Sequence, residues 1–190
     1  MRYSMPPKIK VTKDDIVNAA LQIVRIHGAQ AINARALATM LGCSTQPIFS
    51  NFATMDDLHL AVAQRADSLY REYQQKEISS NQYPVYKANG MAYIRFAKEE
   101  QELFKLLYMC DRSGAPIPDE SDLFYSMKEL VHHNTGLDNA GATLFHLEMW
   151  AYVHGIATMF ATGYLDLDWE LVSKMLTDSY LGLRKQYGME

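Results

Sequence analysis

Residues 42–52, GCSTQPIFSNF, set the hydroxyls and amides of Ser44, Thr45, Gln46, Ser50 and Asn51 around the apolar Ile48, Phe49 and Phe52. Side chains of this kind, gathered at the start of a short helix, carry the donors and acceptors that read base edges in a DNA major groove. The chemistry on offer is recognition rather than bond-making. The chain has no glycine-rich phosphate loop, no nucleophile elbow and no paired carboxylates on a recognisable scaffold, so an enzyme is not expected. His132, His133, His146 and His154 share no metal-ligand spacing, and neither a metal nor a cofactor is expected.

A reading helix needs partners that hold it. The pattern predicts a first helix from about Lys13 to His27, capped by Thr12 with Asp15 in the capping-box position and stopped by Gly28. Ile16, Ala20, Ile23 and Val24 share one face of it. A second helix follows Asn33, a good N-cap, and carries Leu37, Ala38 and Leu41 up to Gly42. Ser44 is expected to cap a third helix, with Thr45, Gln46 and Pro47 in its first turn, where proline is tolerated. Ala38 is small enough for the two helices to approach, Gly42 can take the positive φ of the turn, and Ile48 anchors the second helix. Thr54 then caps a long helix that opens on Asp56 and Asp57, acids suited to the positive end of a helix dipole. Further helices are predicted over 85–98, 100–109, 121–134, 140–162 and 169–187, separated by proline- and glycine-bearing breaks. No convincing strand alternation occurs, so the fold class is all-α: a three-helix DNA-binding domain over 1–55 and a helical effector-binding and dimerisation domain over 56–190.

Composition agrees with a globular chain, at 48% hydrophobic and 21% charged residues in 190. The net charge of -4 is unevenly spread: residues 1–60 carry six basic against four acidic residues, and the remainder twelve against eighteen. That asymmetry suggests a DNA-facing front end on an acidic body. Cys43 and Cys110 are too few for a disulfide framework, and a reducing, cytoplasmic setting is expected. The start has no apolar run of a secretory signal. The apolar stretch 149–165 falls short of the roughly 20 residues that span a bilayer and contains His154, Thr158 and Thr162. It reads as a buried helix, and no membrane partner is expected.

From Ile16 to about Val62 the order of helix, HGAQAINARALATMLGCS, TQPIFSNF and ATMDDLHLAV resembles the TetR family of bacterial transcriptional regulators. The resemblance implies that the second and third helices read DNA, that the fourth links them to a ligand-binding body, and that the protein acts as a dimer. Carried over by position, Asn33 takes the cap that usually meets phosphate, and Thr45 and Gln46 take early recognition-helix positions. Three residues depart from the pattern: Phe49 stands where tyrosine is common, Asn51 where histidine is frequent and Met55 where lysine often grips the backbone. Each change removes a charge or a donor from the phosphate side. Lys8, Lys10 and Lys13, in and beside the N-terminal arm, can compensate. The candidate DNA-binding set is therefore Lys10, Lys13, Asn33 and Arg35, with Ser44, Thr45, Gln46, Phe49, Ser50 and Asn51.

WAYVHG, Trp150 to Gly155, resembles the WxxxHG signature of one C-terminal subclass of that family, and YIRFAKEEQELFKLLYM over 93–109 is similar to the segment preceding it. Trp150 and His154 lie one helical turn apart, and Gly155 is expected to let another helix come close. The 11 methionines and 12 tyrosines of the whole chain supply adaptable apolar surface and hydroxyls. Tyr93, Phe96, Tyr108, Phe124 and Met127, with Phe145, Met149, Trp150 and His154, are the candidate effector-binding residues; Tyr86, Tyr125, Tyr152, Met109, Met159 and Phe160 are of the same kind. The function expected is a DNA-binding transcriptional regulator, a repressor released from a palindromic operator on double-stranded DNA by a small, largely apolar or aromatic effector, acting as a homodimer. Two alternatives stay open: an architectural DNA-binding protein without effector control, and a helical binding module whose helix-turn-helix no longer reads DNA.

Overall fold

The computed structural model describes residues 11–110 and 122–189, with the side chains of 122–125 outside that description. Among the described residues every regular element is helical: α1 (Lys13–His27), a short 3-10 turn (Ala29–Ala31), α2 (Ala34–Leu41), α3 (Gln46–Asn51), α4 (Met55–Ser79), α5 (Val85–Glu99), α6 (Gln101–Tyr108), α7 (Asp122–Thr135), α8 (Asn139–Ala161) and α9 (Trp169–Gln186). They form two compact units, Met1–Asp67 and Ser68–Glu190, and α4 contributes to both.

The first unit is built by local signals. Thr12 accepts from the Asp15 amide while the Asp15 carboxylate accepts from the Thr12 amide, at 3.1 and 2.9 Å, closing the capping box of α1. Thr54 and Asp57 repeat the device at the start of α4, with the Asp57 amide 3.1 Å from the Thr54 hydroxyl and the Thr54 amide 3.0 Å from the carboxylate. α1, α2 and α3 pack on one another, and Ile16, Val24, Leu37 and Ile48 are fully shielded, joined by Leu58 and Val62 from α4. This core is aliphatic apart from Phe52.

The second unit is arranged around α5, which packs on α6, α7, α8 and α9. Its buried residues include Ala88, Met91, Ala92, Ile94 and Phe96. The Tyr86–His146 and Tyr93–His154 pairs ascend together, so α5 and α8 run in the same direction. α8 differs from the fully buried helix expected over 149–165. Phe145, Met149, Ile156 and Phe160 are buried, but Leu144, Trp150, Tyr152 and Met159 are exposed, and the helix stops at Ala161. Its neighbours among the described residues cover one side only. The expectation for Gly155 also fails: nothing stands within 4 Å of where its Cβ would be, so no described helix of this chain approaches there.

Candidate functional site

The reader is positioned by backbone geometry at two points. Asn33 Oδ1 accepts from the Arg35 and Ala36 amides at 3.1 and 2.9 Å, and its Nδ2 donates to the Ala31 carbonyl at 3.1 Å, which fixes where α2 starts. Gly42 ends α2 in the left-handed region at φ 61°, and the Cys43 amide returns to the Ala38 carbonyl at 3.0 Å. The chain then turns into α3. The cap predicted at Ser44 is not formed: α3 starts at Gln46, with Thr45 as its cap residue in helical conformation and without a side-chain hydrogen bond. A capping hydroxyl takes the second or third amide of its helix, and counted from Ser44 the third residue is Pro47, which has none. The Thr45 carbonyl accepts instead from Ile48 and Phe49, at 3.1 and 3.4 Å.

Ser44, Gln46, Phe49 and Ser50 are exposed and Thr45 and Asn51 half-buried, with Ile48 at 0% exposure pinning the opposite side of α3. Ser50 Oγ donates to the Gln46 carbonyl at 2.9 Å and Asn51 Nδ2 to the Pro47 carbonyl at 2.8 Å, so both spend a donor on their own helix. Arg35 is exposed on α2. Lys13, at the start of α1, holds its Nζ 4.9 Å from the centre of the Phe52 ring, and both border a small cavity with Asn51 and Asp57. Lys8 and Lys10 lie outside the described residues.

The second unit holds a cavity of about 700 Å³, within the size range of small-molecule sites. Of the candidate effector residues, Tyr93, Tyr108, Met127, Met149 and Trp150 line it; Phe96 and Phe145 do not, being fully buried core residues. Phe96 packs against Tyr70 and Tyr73, and Phe145 against Tyr180 and Tyr187. His154 is one step behind the wall: its Nδ1 is 2.9 Å from the Tyr93 hydroxyl, and its ring stacks on Trp150 with centroids 5.3 Å apart. The Phe124 side chain lies outside the described residues.

A second tyrosine–histidine pair, Tyr86 and His146, is also joined at 2.9 Å, and both residues line the cavity. Burial pushes His146 down to about 4 and lowers His154, while it raises Tyr86 and Tyr93, with Tyr180 and Tyr108 respectively adding to the effect. At neutral pH both pairs are thus hydrogen bonds between uncharged rings. The seven-residue step from Tyr86 to Tyr93 and the eight-residue step from His146 to His154 put each pair on matching turns of α5 and α8.

The cavity's remaining polar groups carry no signal in the local sequence. Gln74 Nε2 donates to Asn89 Oδ1 at 2.9 Å in the interior. Lys87 Nζ donates to Ser173 Oγ at 2.7 Å and Thr177 Oγ1 at 2.8 Å, and lies 4.7 Å from the Tyr83 ring centre. Desolvation lowers the Lys87 ammonium from its ordinary range. Tyr70, Tyr180 and Arg184 complete this side. Gln74 and Lys87 find these hydrogen-bond partners 15 to 90 residues away, so no short spacing announces either.

Residues 86–178 match the family described as "Tetracyclin repressor-like, C-terminal domain". Residues 86–178 belong to that family of TetR-like C-terminal domains. The fold is shared with a TetR-like transcriptional regulator from Rhodococcus sp. RHA1, 15% identical over 97% of this chain and 100% of that one, with a TM-score of 0.67. It is also shared with a putative TetR-family transcriptional regulator from Vibrio parahaemolyticus, 16% identical over 88% and 96% of the two chains, TM-score 0.63. The multidrug binding protein EbrR complexed with imidazole is 16% identical over 93% and 97%, TM-score 0.56. No curated relative matches the sequence at a significant level. Among the described residues no helix is long and apolar enough to cross a membrane.

Proposed function

We propose that this chain is a TetR-family DNA-binding regulator, a homodimeric repressor that leaves a palindromic operator when a small, largely apolar or aromatic effector occupies the body cavity. The observation that carries the reading is the 700 Å³ cavity, walled by tyrosines, methionines and Trp150 with a few buried polar groups, in a chain that also presents a polar-tipped α3. Tyr70 and Gln74 on α4 line the cavity, while Leu58 and Val62 on the same helix are buried in the reader's core. A ligand that shifts α4 therefore acts on residues of both units. DNA half-sites repeat at about 34–36 Å, so a change in the separation of two readers weakens binding. The coupling is on the order of 1–3 kcal/mol and is reciprocal between ligand and DNA.

The dimer is assigned to α8 and α9, which leave Leu144, Tyr152, Met159, Leu171 and Leu181 exposed, an apolar set suited to an isologous interface. On the DNA side, Gln46 reads a base, while Lys13, Arg35 and Asn33, with Lys10 from the arm, take the backbone. Domain roles divide as 1–55 for the reader and 56–190 for effector and partner. Binding-site selection on random duplexes is the test: a palindromic winner is expected, and a winner without two-fold symmetry refutes the dimeric operator complex. With that duplex, Gln46→Ala is expected to cost roughly 1–3 kcal/mol of discrimination at one half-site position, whereas Lys13→Ala weakens all sequences alike and flattens the salt slope.

A further inference from the structure

The cavity's charged residues are one-sided. Among the described residues that line it, Lys87 and Arg184 are cations and none is an aspartate or glutamate. Lys87 is half-buried, and its two hydrogen-bond partners, Ser173 and Thr177, are uncharged hydroxyls. Its aromatic neighbour Tyr83 is uncharged as well. Lys98 pairs with Asp166, Lys105 with Glu102 and Lys174 with Asp178, but Lys87 forms no ion pair with any described residue. An ammonium has three donors, and the two hydroxyls take two of them. The site therefore holds a positive charge that has lost water without gaining a counter-charge, and one donor remains for a ligand oxygen.

We propose that the effector is an amphipathic carboxylate whose anionic head pairs with Lys87 while an aryl or alkyl tail lies along the wall formed by Tyr93, Tyr108, Met149 and Trp150. The inference rests on the reading of the cavity as the effector site and narrows its chemistry. A cationic ligand would meet Lys87 with no carboxylate in the described wall to offset the repulsion, and a neutral ligand would bury Lys87 further without compensation. A carboxylate replaces the missing counter-charge and forms a charge-assisted hydrogen bond in a partly dry site. One charge suffices, because the rest of the wall offers tyrosine rings and thioethers to a tail.

The test uses three probes with one tail: phenylbutyrate, phenylbutanamide and phenylbutylamine, titrated calorimetrically into the full chain without DNA, with decanoate, decanamide and decylamine as a second set. In at least one set the acid is expected to bind about tenfold more tightly, or better, than its amide and amine, the worth of one charge-assisted bond. Lys87→Met, which keeps the alkyl stem, is expected to abolish that ratio, and Lys87→Arg to retain it. In wild-type protein alone, an amine or amide that binds as well as its acid in both sets overturns the proposal, whatever happens to the variants. So does the absence of binding by both acids at millimolar concentration, or a ratio unchanged in folded Lys87→Met. Adding the acid to the complex with the selected duplex separates the two readings: a Lys87-dependent acid that leaves DNA affinity unchanged supports the anion site and refutes effector-driven release.

Discussion

The two units solve the burial of polar groups in opposite ways. In the reader, Thr12, Asn33, Ser50, Asn51 and Thr54 satisfy or are satisfied by groups within four residues, and the core between the helices is almost purely aliphatic. In the body, Tyr86, Tyr93, Gln74 and Lys87 find partners 15 to 90 residues away, and the space among them stays open as a cavity. Local satisfaction leaves a small element rigid and its outward side chains available. Long-range satisfaction ties helices together by polar bonds and leaves apolar wall for a ligand.

If the reader depends on a tight aliphatic core and the body tolerates empty volume, core truncations separate them. Ile48→Ala removes a fully shielded side chain beneath α3 and is expected to cost about 2–5 kcal/mol. Met149→Ala, beside an existing cavity, is expected to fall at the lower end of that range. Urea unfolding followed by far-UV circular dichroism measures both, and equal losses at the two sites would erase the distinction.

The second break is by pH. Burial depresses His146 from 6.5 to about 4, so between those values the unfolded chain takes up a proton that the folded chain refuses. The group's contribution is whole above 6.5 and drains as the pH falls towards about 4, a loss on the order of 3 kcal/mol. Denaturation midpoints measured across that window are expected to fall with acid in the wild type and to flatten in His146→Asn.

The same contrast explains what can be read in the sequence. Helix spans, the capping boxes at Thr12 and Thr54, the Asn33 cap and the left-handed Gly42 are decided by neighbours in the chain, and their patterns are legible there. The start of α3 departs from its pattern because the missing amide of Pro47 outweighs the good capping propensity of Ser44. In the body, aromatic and methionine content points to a cavity, but Phe96 and Phe145 are as aromatic as Tyr93 and Tyr108 and differ only in which way the bundle turns them. Lys87 gives no local sign, since its meaning comes from Ser173 and Thr177 on α9.

The turn between α2 and α3 offers a smaller test. At Gly42, φ is +61° and nothing lies within 4 Å of the position an added methyl would take, so Gly42→Ala meets backbone strain alone. The expected cost is about 1 kcal/mol, with Gly42→Asn milder because asparagine tolerates the left-handed region. Both are read from urea midpoints, and a stabilised Gly42→Ala would show that the turn does not need its positive φ.

The smallest effect bears on the outer side of α8. Gly155 lies inside the helix with open space around its Cβ direction, so in an isolated chain Gly155→Ala removes only the entropic cost of a helical glycine. A gain of about 0.5–1 kcal/mol is expected there. The dimer assigned to α8 and α9 gives the same substitution a second readout. Should a second copy approach over Gly155, the added methyl would sit in the interface, and stability would fall with a dependence on protein concentration. Melting Gly155→Ala at micromolar and at tenfold higher concentration therefore distinguishes a solvent-facing glycine from a contact glycine. Gly155 shares the face of α8 that carries the exposed Leu144, Tyr152 and Met159, so a concentration-independent gain argues against an interface on that face, while a concentration-dependent loss places Gly155 within it.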